Sequence, residues 1–208
     1  MFSEVRNTTT DRNERLEFIR PRKDLWSTND GTMDCLNLIY EANFGGENAL
    51  AKVVPRSYGK HVHAHLAARS MAPQLYGTSE LQDLASVVVM ELLKDGWTTH
   101  FHYRENTRRS GIPEGSRSRL LQRLEEILDC LGAVEMVHGD FRMANIMLKP
   151  QEEEKAMVID FDWAGEAGVV RYPLSRSDGL GYPGEPGGPI GAGDDRLFYE
   201  KWKNELFN

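Results

Sequence analysis

Apolar positions fall into short runs spaced by turn residues through the first half of the chain, and into one long helical stripe in the second. Leu36, Leu38 and Tyr40 alternate with polar neighbours, Asn43-Phe44-Gly45-Gly46-Glu47-Asn48 is turn-like, and Ala49-Leu50-Ala51-Lys52-Val53-Val54 is a second strand, so residues 35–54 predict a hairpin. Residues 57–70 hold helix-tolerant side chains up to Pro73 and predict a short helix. Ser86-Val87-Val88-Val89-Met90-Glu91-Leu92-Leu93 is a continuous apolar strand that Lys94-Asp95-Gly96-Trp97 breaks. Residues 100–115 have no periodicity and read as a loop. Leu120, Leu121, Leu124, Ile127, Leu128 and Leu131 then recur at one-, three- and four-residue steps, which places them on one face of a helix with Gly132 as its stop.

Beyond that helix, Ile146-Met147-Leu148 and Met157-Val158-Ile159 are short buried strands flanking the polar turn Gln151-Glu152-Glu153-Glu154-Lys155, a second hairpin. Glycine and proline then dominate residues 165–193, which read as loop, and Asp195 to Phe207 is a closing helix. At the other end, residues 1–30 are a polar extension whose single helical stretch, Arg12 to Ile19, is closed by Pro21.

The length of 208 residues suits one modest domain or two small lobes sharing a cleft, and 40% hydrophobic with 27% charged residues is a globular composition. The net charge of −7 argues against a nucleic-acid partner, although Arg104, Arg108, Arg109, Arg117 and Arg119 form a local basic cluster, either a solvated loop or a docking site for an acidic peptide. The longest apolar run is too short to cross a bilayer, so no membrane partner is expected. Without a charged start followed by an apolar stretch, and with only Cys35 and Cys130, the chain is expected to be intracellular, in cytoplasm or nucleus.

Candidate chemistry centres on residues 138–163. His138-Gly139-Asp140-Phe141-Arg142-Met143-Ala144-Asn145 puts an Asp five residues before an Asn, and the hairpin that follows ends on Asp160-Phe161-Asp162-Trp163. Transfer of a phosphoryl group from a metal-bound nucleotide needs a carboxylate beside the attacking hydroxyl, with an amide and a second carboxylate on the metal ions that bridge the phosphates. Asp140, Asn145 and Asp160 can fill those roles, and the hairpin would bring Asn145 close to Asp160. Asp140 could otherwise stabilise a turn, and Asp162 is either a second metal ligand or a solvated turn acid. Arg142 could offset negative charge beside the leaving phosphate. His61, His63 and His65 invite a zinc reading, but on a helix only His61 and His65 share a face, and no Cys or acid lies near in sequence.

The segments HGDFRMAN and VIDFDWAGEAGVVRYP resemble the catalytic and metal-binding segments of the protein-kinase-like superfamily, most closely small fungal protein-kinase-like proteins with a DFDWAG-type segment followed by RYP. The close match covers roughly residues 134–175, with weaker agreement upstream to about residue 36. The resemblance implies an α+β, two-lobed kinase-like domain over residues 31–208, with a small sheet-rich N-lobe (about 31–93), a reduced helical C-lobe (about 94–208), and ATP with Mg²⁺ in the cleft. By that resemblance Lys52 pairs with the α- and β-phosphates, backbone groups of Glu91, Leu92 and Leu93 hold the adenine, and His138 is scaffold. Taken alone, Lys52 could equally be an edge-strand lysine facing water.

The implied reaction moves the γ-phosphoryl group to a hydroxyl, on protein Ser/Thr first and on small-molecule alcohols second, since the H-G-D form also resembles aminoglycoside and choline kinases. Several parts of that pattern are missing. No G-x-G-x-x-G precedes Lys52, no Glu lies between Glu47 and Glu80 to orient it, Gly139 replaces the arginine of H-R-D, and no A-P-E-type segment follows. The rival expectation is therefore a pseudokinase-like binding or scaffold protein without turnover. A compact variant and a shortened form of a longer protein both fit the missing C-terminal helices.

Overall fold

In the computed structural model, residues 4–22, 38–55, 58–81, 85–94, 96–99, 102–103, 114–149 and 155–204 are described. The contacts divide the chain into two compact units, Met1–Tyr58 with Pro73–Leu93, and Gly59–Ala72 with Lys94–Asn208. Cys35, Leu36, Arg104, Arg108, Arg109 and most of the acidic turn at 151–155 lie outside the described residues.

The first unit is a closed antiparallel barrel of six strands: β1 (Glu4–Asn7), β2 (Asn13–Pro21), β3 (Leu38–Phe44), β4 (Glu47–Val54), β5 (Leu75–Leu81) and β6 (Ala85–Glu91), in the order β1-β2-β3-β4-β6-β5. The expected hairpin is β3 and β4, turning at Gly45-Gly46. The helix expected over Arg12 to Ile19 is instead strand β2, and the polar extension expected over residues 1–30 contributes two strands to the barrel. Leu16 and Phe18 alternate with polar neighbours and point inward against Ala42 and Phe44, a period-two pattern that pairing with β3 fixes. Inside the barrel Val5, Leu16, Ala42, Phe44, Ala49, Ala51, Val87 and Val89 form the core. Where β1 meets β5, a Cβ on Gly77 would lie 2.7 Å from the Arg6 carbonyl oxygen, so the seam closes only on a residue without one.

The second unit contains the short helix α1 (Lys60–Ala67), the 19-residue helix α2 (Glu114–Gly132) and the helix α3 (Asp194–Trp202). Between them run β7 (Thr98–Thr99), β8 (Met136–Val137), β9 (Ile146–Leu148), β10 (Ala156–Val158) and β11 (Gly165–Glu166). Helix α2 buries Leu120, Leu124, Ile127, Leu128 and Leu131, five of the six residues in the stripe read from sequence, with Leu121 at its half-buried flank. β9 and β10 form the second expected hairpin, with Val158 opposite Ile146, and β8 pairs with β11. Residues 165–193 are mostly irregular, apart from β11 and a single 3₁₀ turn at Asp178–Leu180.

Candidate functional site

The loop from His138 to Asn145 leaves β8 and turns back into β9, and its backbone is held from three sides. The buried Asp195 at the start of α3 accepts the backbone N–H of His138 at 2.6 Å and of Gly139 at 2.9 Å. His138 donates from Nε2 to the Ile159 carbonyl at 3.0 Å, which leaves Nδ1 to accept the Asp140 N–H at 3.3 Å. That pairing fixes the neutral tautomer of a fully buried ring and agrees with the expected scaffold role. Trp202 of α3 donates its indole N–H to the Phe141 carbonyl at 2.8 Å.

Gly139 has φ +81°, and a Cβ there would meet Ile190 Cδ1 at 2.8 Å and the Trp163 carbonyl at 3.0 Å. The absence of the H-R-D arginine thus has a local physical reason: the backbone is left-handed and the space beside it is filled.

Asp140 is 6% exposed and both its carboxylate oxygens accept hydrogen bonds. Oδ2 takes Arg142 Nε at 3.0 Å and Asn145 Nδ2 at 2.8 Å, while Oδ1 takes the Tyr182 hydroxyl at 2.5 Å. Asn145 Nδ2 also donates to the Asp140 carbonyl at 2.9 Å, so the amide nitrogen is committed to Asp140 and the amide oxygen is the atom left to face a cation. Burial works against the charge on Arg142, but Asp140, Tyr182 and Asp160 outweigh it and hold the guanidinium above its usual pKa. A turn-stabilising Asp140 would make the contacts that lie within the loop, from the Arg142 N–H to its carbonyl at 2.9 Å and from Arg142 Nε and Asn145 Nδ2 to its carboxylate; the Tyr182 hydroxyl alone comes from outside it.

The Ile159 N–H donates to the Asn145 carbonyl at 2.9 Å, continuing the β9–β10 ladder and setting Asp160 one residue beyond the Asn. Asp160 has φ +72°, a left-handed conformation that a non-glycine residue holds only when its surroundings impose it. Those surroundings are visible on both sides. The Phe161 carbonyl accepts the Gly59 N–H at 2.9 Å, and the buried Phe161 ring stacks on His63 at 4.5 Å with 7° between planes, and meets His138 edge-on at 5.1 Å. Asp162 is half-buried two residues on. A donor set of one amide oxygen and one or two carboxylates suits Mg²⁺, which takes hard oxygen ligands and completes its shell with phosphates and water. Among the described residues no group of three or more His, Cys, Asp and Glu side chains converges as a metal site.

The histidine trio is dispersed by its environments. His61 is exposed, His63 is stacked on Phe161, and His65 Nε2 lies 3.2 Å from Cys130 Sγ. Sequence distance concealed that cysteine, which α2 brings against α1.

In the first unit Lys52 lies on β4, opposite Ile39 of β3 and Val88 of β6. The edge-strand alternative is removed: β4 is an interior strand and Lys52 is 4% exposed, on the face shared with Val54, Val88 and Met90. Glu91 closes β6, where its N–H donates to the Gln74 carbonyl at 2.8 Å and its carboxylate accepts the Gln74 N–H at 3.1 Å. Leu92 and Leu93 follow, half-buried and outside any strand.

Two residues in this arrangement were not singled out from sequence, Asp195 as the anchor of the loop and Tyr182 as a partner of Asp140. An acid in the first turn of a helix ordinarily reads as a favourable charge at the helix N-terminus, and a tyrosine in a glycine- and proline-rich stretch carries no periodic signal. No helix among the described residues is long and apolar enough to cross a membrane.

No protein-family model and no curated protein matches the chain. Among solved structures, the kinase PK-1 of Cydia pomonella granulovirus superposes with a TM-score of 0.63 at 14% identity, covering 92% of this chain and 70% of that one. Vaccinia related kinase 3 superposes with a TM-score of 0.60, also at 14% identity, covering 98% of this chain and 67% of that one. At such identity the likeness speaks for the fold alone, and the fold of this chain is protein-kinase-like.

Proposed function

We propose that the protein is a phosphotransferase that moves the γ-phosphoryl group of ATP to a hydroxyl, with protein Ser/Thr as the first acceptor class and small-molecule alcohols as the second. The observation that carries this reading is the Asp140–Asn145 unit: a buried carboxylate oriented by an amide whose own backbone is laddered to the residue before Asp160. Such chemistry asks the protein for positioning and charge neutralisation rather than for a covalent step.

In this reading Asp140 orients the acceptor hydroxyl and receives its proton. Asn145 through its amide oxygen and Asp160 through its carboxylate hold Mg²⁺, with Asp162 as a further ligand. When bound, Mg²⁺ would supply positive charge to offset the charge that develops on the leaving group. Lys52, buried on the strand face it shares with Val54, Val88 and Met90, is assigned to the α- and β-phosphates, and the backbone of Glu91, Leu92 and Leu93 to the adenine. Arg142 balances the two acids beside it.

A two-lobed arrangement with the nucleotide in its cleft belongs to the same proposal, as does kinship with small fungal kinase-like proteins. One observation favours the rival, a binding or scaffold protein without turnover: helix α1, Lys-His-Val-His-Ala-His-Leu-Ala, has no acid to orient a lysine. Its central buried side chain, His63, is occupied in the stack on Phe161.

Thermal unfolding of the wild type and Asp160→Asn, each with ATP alone and with ATP plus magnesium, tests the proposal. A ligand at 100 times its Kd that binds only the folded state adds about 2.7 kcal/mol. The expected result is a magnesium-dependent rise in Tm that Asp160→Asn loses. No rise under any condition sinks the enzyme reading and leaves the scaffold.

A further inference from the structure

We infer that Tyr182 is a built-in cap on the acceptor site: its hydroxyl occupies, on Asp140 Oδ1, the place that the incoming acceptor hydroxyl must take. The inference rests on the proposed role of Asp140 and deepens it.

The Asp140 carboxylate accepts hydrogen bonds from three side chains. Oδ2 is taken by Arg142 and Asn145, which lie two and five residues along the same loop and set the carboxylate's orientation. Among the described residues Oδ1 has one hydrogen-bond partner, and it comes from 42 residues away. That partner is a neutral O–H donor, the same chemical kind as the substrate of the proposed reaction. Arg142 and Asn145 are donors that a phosphotransfer site would retain during turnover, whereas the Tyr182 hydroxyl holds one of the two lone-pair directions of Oδ1, and an acceptor hydroxyl that needs that direction must displace it.

The cap is seated by contacts independent of that bond. The Tyr182 ring is 8% exposed, packed 4.5 Å from Phe198, 5.4 Å from Trp163 and 5.7 Å from Tyr172 by ring centroids. The backbone on either side is held by side chains rather than by a strand ladder. Lys201 Nζ donates to the Gly181 carbonyl and Arg176 Nη2 to the Gly184 carbonyl, and the Arg176 guanidinium lies 5.2 Å from the Tyr182 ring centroid. Burial and the Asp140 charge keep the phenol protonated well beyond its usual range, so it remains a donor throughout the neutral region. A tethered phenol acts at an effective concentration set by its loop, and a diffusing acceptor must exceed it. The device therefore selects acceptors that bring binding energy of their own, and leaves water and small alcohols poorly placed to accept.

The test uses Tyr182→Phe, which keeps the ring packing and removes the hydroxyl. Wild type and variant are given Mg·ATP with glycerol as a probe acceptor, and ADP formation is followed over glycerol concentration. Apparent acceptor affinity falls in proportion to the uncapped fraction, and a hydrogen bond to a carboxylate supports a difference of about tenfold or more. The expected result is an apparent KM for glycerol at least about tenfold lower in Tyr182→Phe with kcat little changed. A variant in which KM is unchanged, or in which kcat falls and KM rises together, overturns the cap in favour of a packing role. Phosphate found on Tyr182 of the wild type overturns it too, because the phenol would then be a substrate.

A second measurement needs no turnover. Tyr182→Phe should lower Tm in the wild-type background and leave it unchanged in Asp140→Ala, whereas equal shifts in both backgrounds overturn the bond on which the cap depends. Failure of the phosphotransfer reading is recognised separately: Mg·ATP would then shift the Tm of neither wild type nor Tyr182→Phe, whatever the Tyr182–Asp140 coupling.

Discussion

Replacing Asp195 by Asn should loosen the whole candidate site from a position that touches none of its reacting groups. The Asp195 carboxylate accepts two buried backbone N–H groups, from His138 at 2.6 Å and Gly139 at 2.9 Å. An Asn side chain presents one oxygen and one NH₂ group, so one bond survives without its charge and the other N–H faces a donor. Hydrogen bonds to charged groups are worth about 1.5–3 kcal/mol, and a buried donor left without a partner costs about 1–3 kcal/mol. These overlap, and relief of a buried carboxylate offsets part, so the expected loss is about 2–4 kcal/mol. For a chain of this size, about 3 kcal/mol corresponds to a fall in Tm of roughly 6–12 °C.

The pH dependence supplies a second arm. Burial raises the Asp195 pKa above its ordinary value, with the two backbone N–H groups acting against that shift. A carboxyl whose folded pKa is raised contributes stability that is complete below the unfolded value and is lost as pH rises through the folded one. Asn has no such proton, so the advantage of wild type over Asp195→Asn should narrow as pH rises from about 4. Urea unfolding of both proteins across that range, with Asp194→Asn as the neighbouring control, measures it. The control loses only its bonds from the Gly191 N–H and the Tyr172 hydroxyl and should cost less. A deficit under about 0.5 kcal/mol at every pH, or one that widens as pH rises, would refute the reasoning.

Three further outcomes follow from the same geometry. Gly139→Ala should cost about 1–3 kcal/mol, because its φ of +81° and a Cβ contact of 2.8 Å leave no relaxed position, and Gly139→Arg should cost more; equal stability of Gly139→Arg and wild type in urea refutes this. His63→Ala should cost about 2–4 kcal/mol and remove any Mg·ATP-induced rise in Tm by freeing Phe161, while His63→Phe should retain most of both, so identical behaviour of the two variants counts against the stack as the holder of Asp160. Tyr172, Tyr182 and Tyr199 all have pKa values raised chiefly by burial. Stability from them is complete below about pH 10 and is lost above it, so on alkaline titration their phenolate absorbance should appear only with unfolding; a smooth titration of all tyrosines near pH 10 in folded protein contradicts their burial.

Legibility in the sequence followed the range of the interactions. The β3–β4 and β9–β10 hairpins and the α2 stripe were readable because their determinants are local: two-residue alternation, a glycine turn, and leucines on a helical period. The Asp140–Asn145 contact, and the placing of Asp160 just past the strand paired with the one Asn145 leads into, were readable because one loop and one hairpin set them. Strand β2 was misread because its partners, β1 and β3, are set by the closing of a barrel, and only that closing decides between the helical and extended patterns of Arg12 to Ile19. Lys52 was ambiguous for a similar reason, since whether a strand is an edge depends on what pairs with it. Asp195, Tyr182 and the His65–Cys130 contact lie 57, 42 and 65 residues from the groups they touch, and no short-range spacing encodes such distances.

The barrel seam has a consequence for how the chain must be made. Strand β1 is synthesised first, yet its closing partner β5 emerges about seventy residues later, with Arg6 opposite Thr78. Until then β1 presents unpaired N–H and C=O groups, the kind of open edge on which chains join one another. Removal of residues 4–22, which look dispensable by their polarity, would leave β3 and β5 each with a bare side in the finished protein. Self-association of such a truncated chain is the expected outcome of giving ends to a sheet built without them.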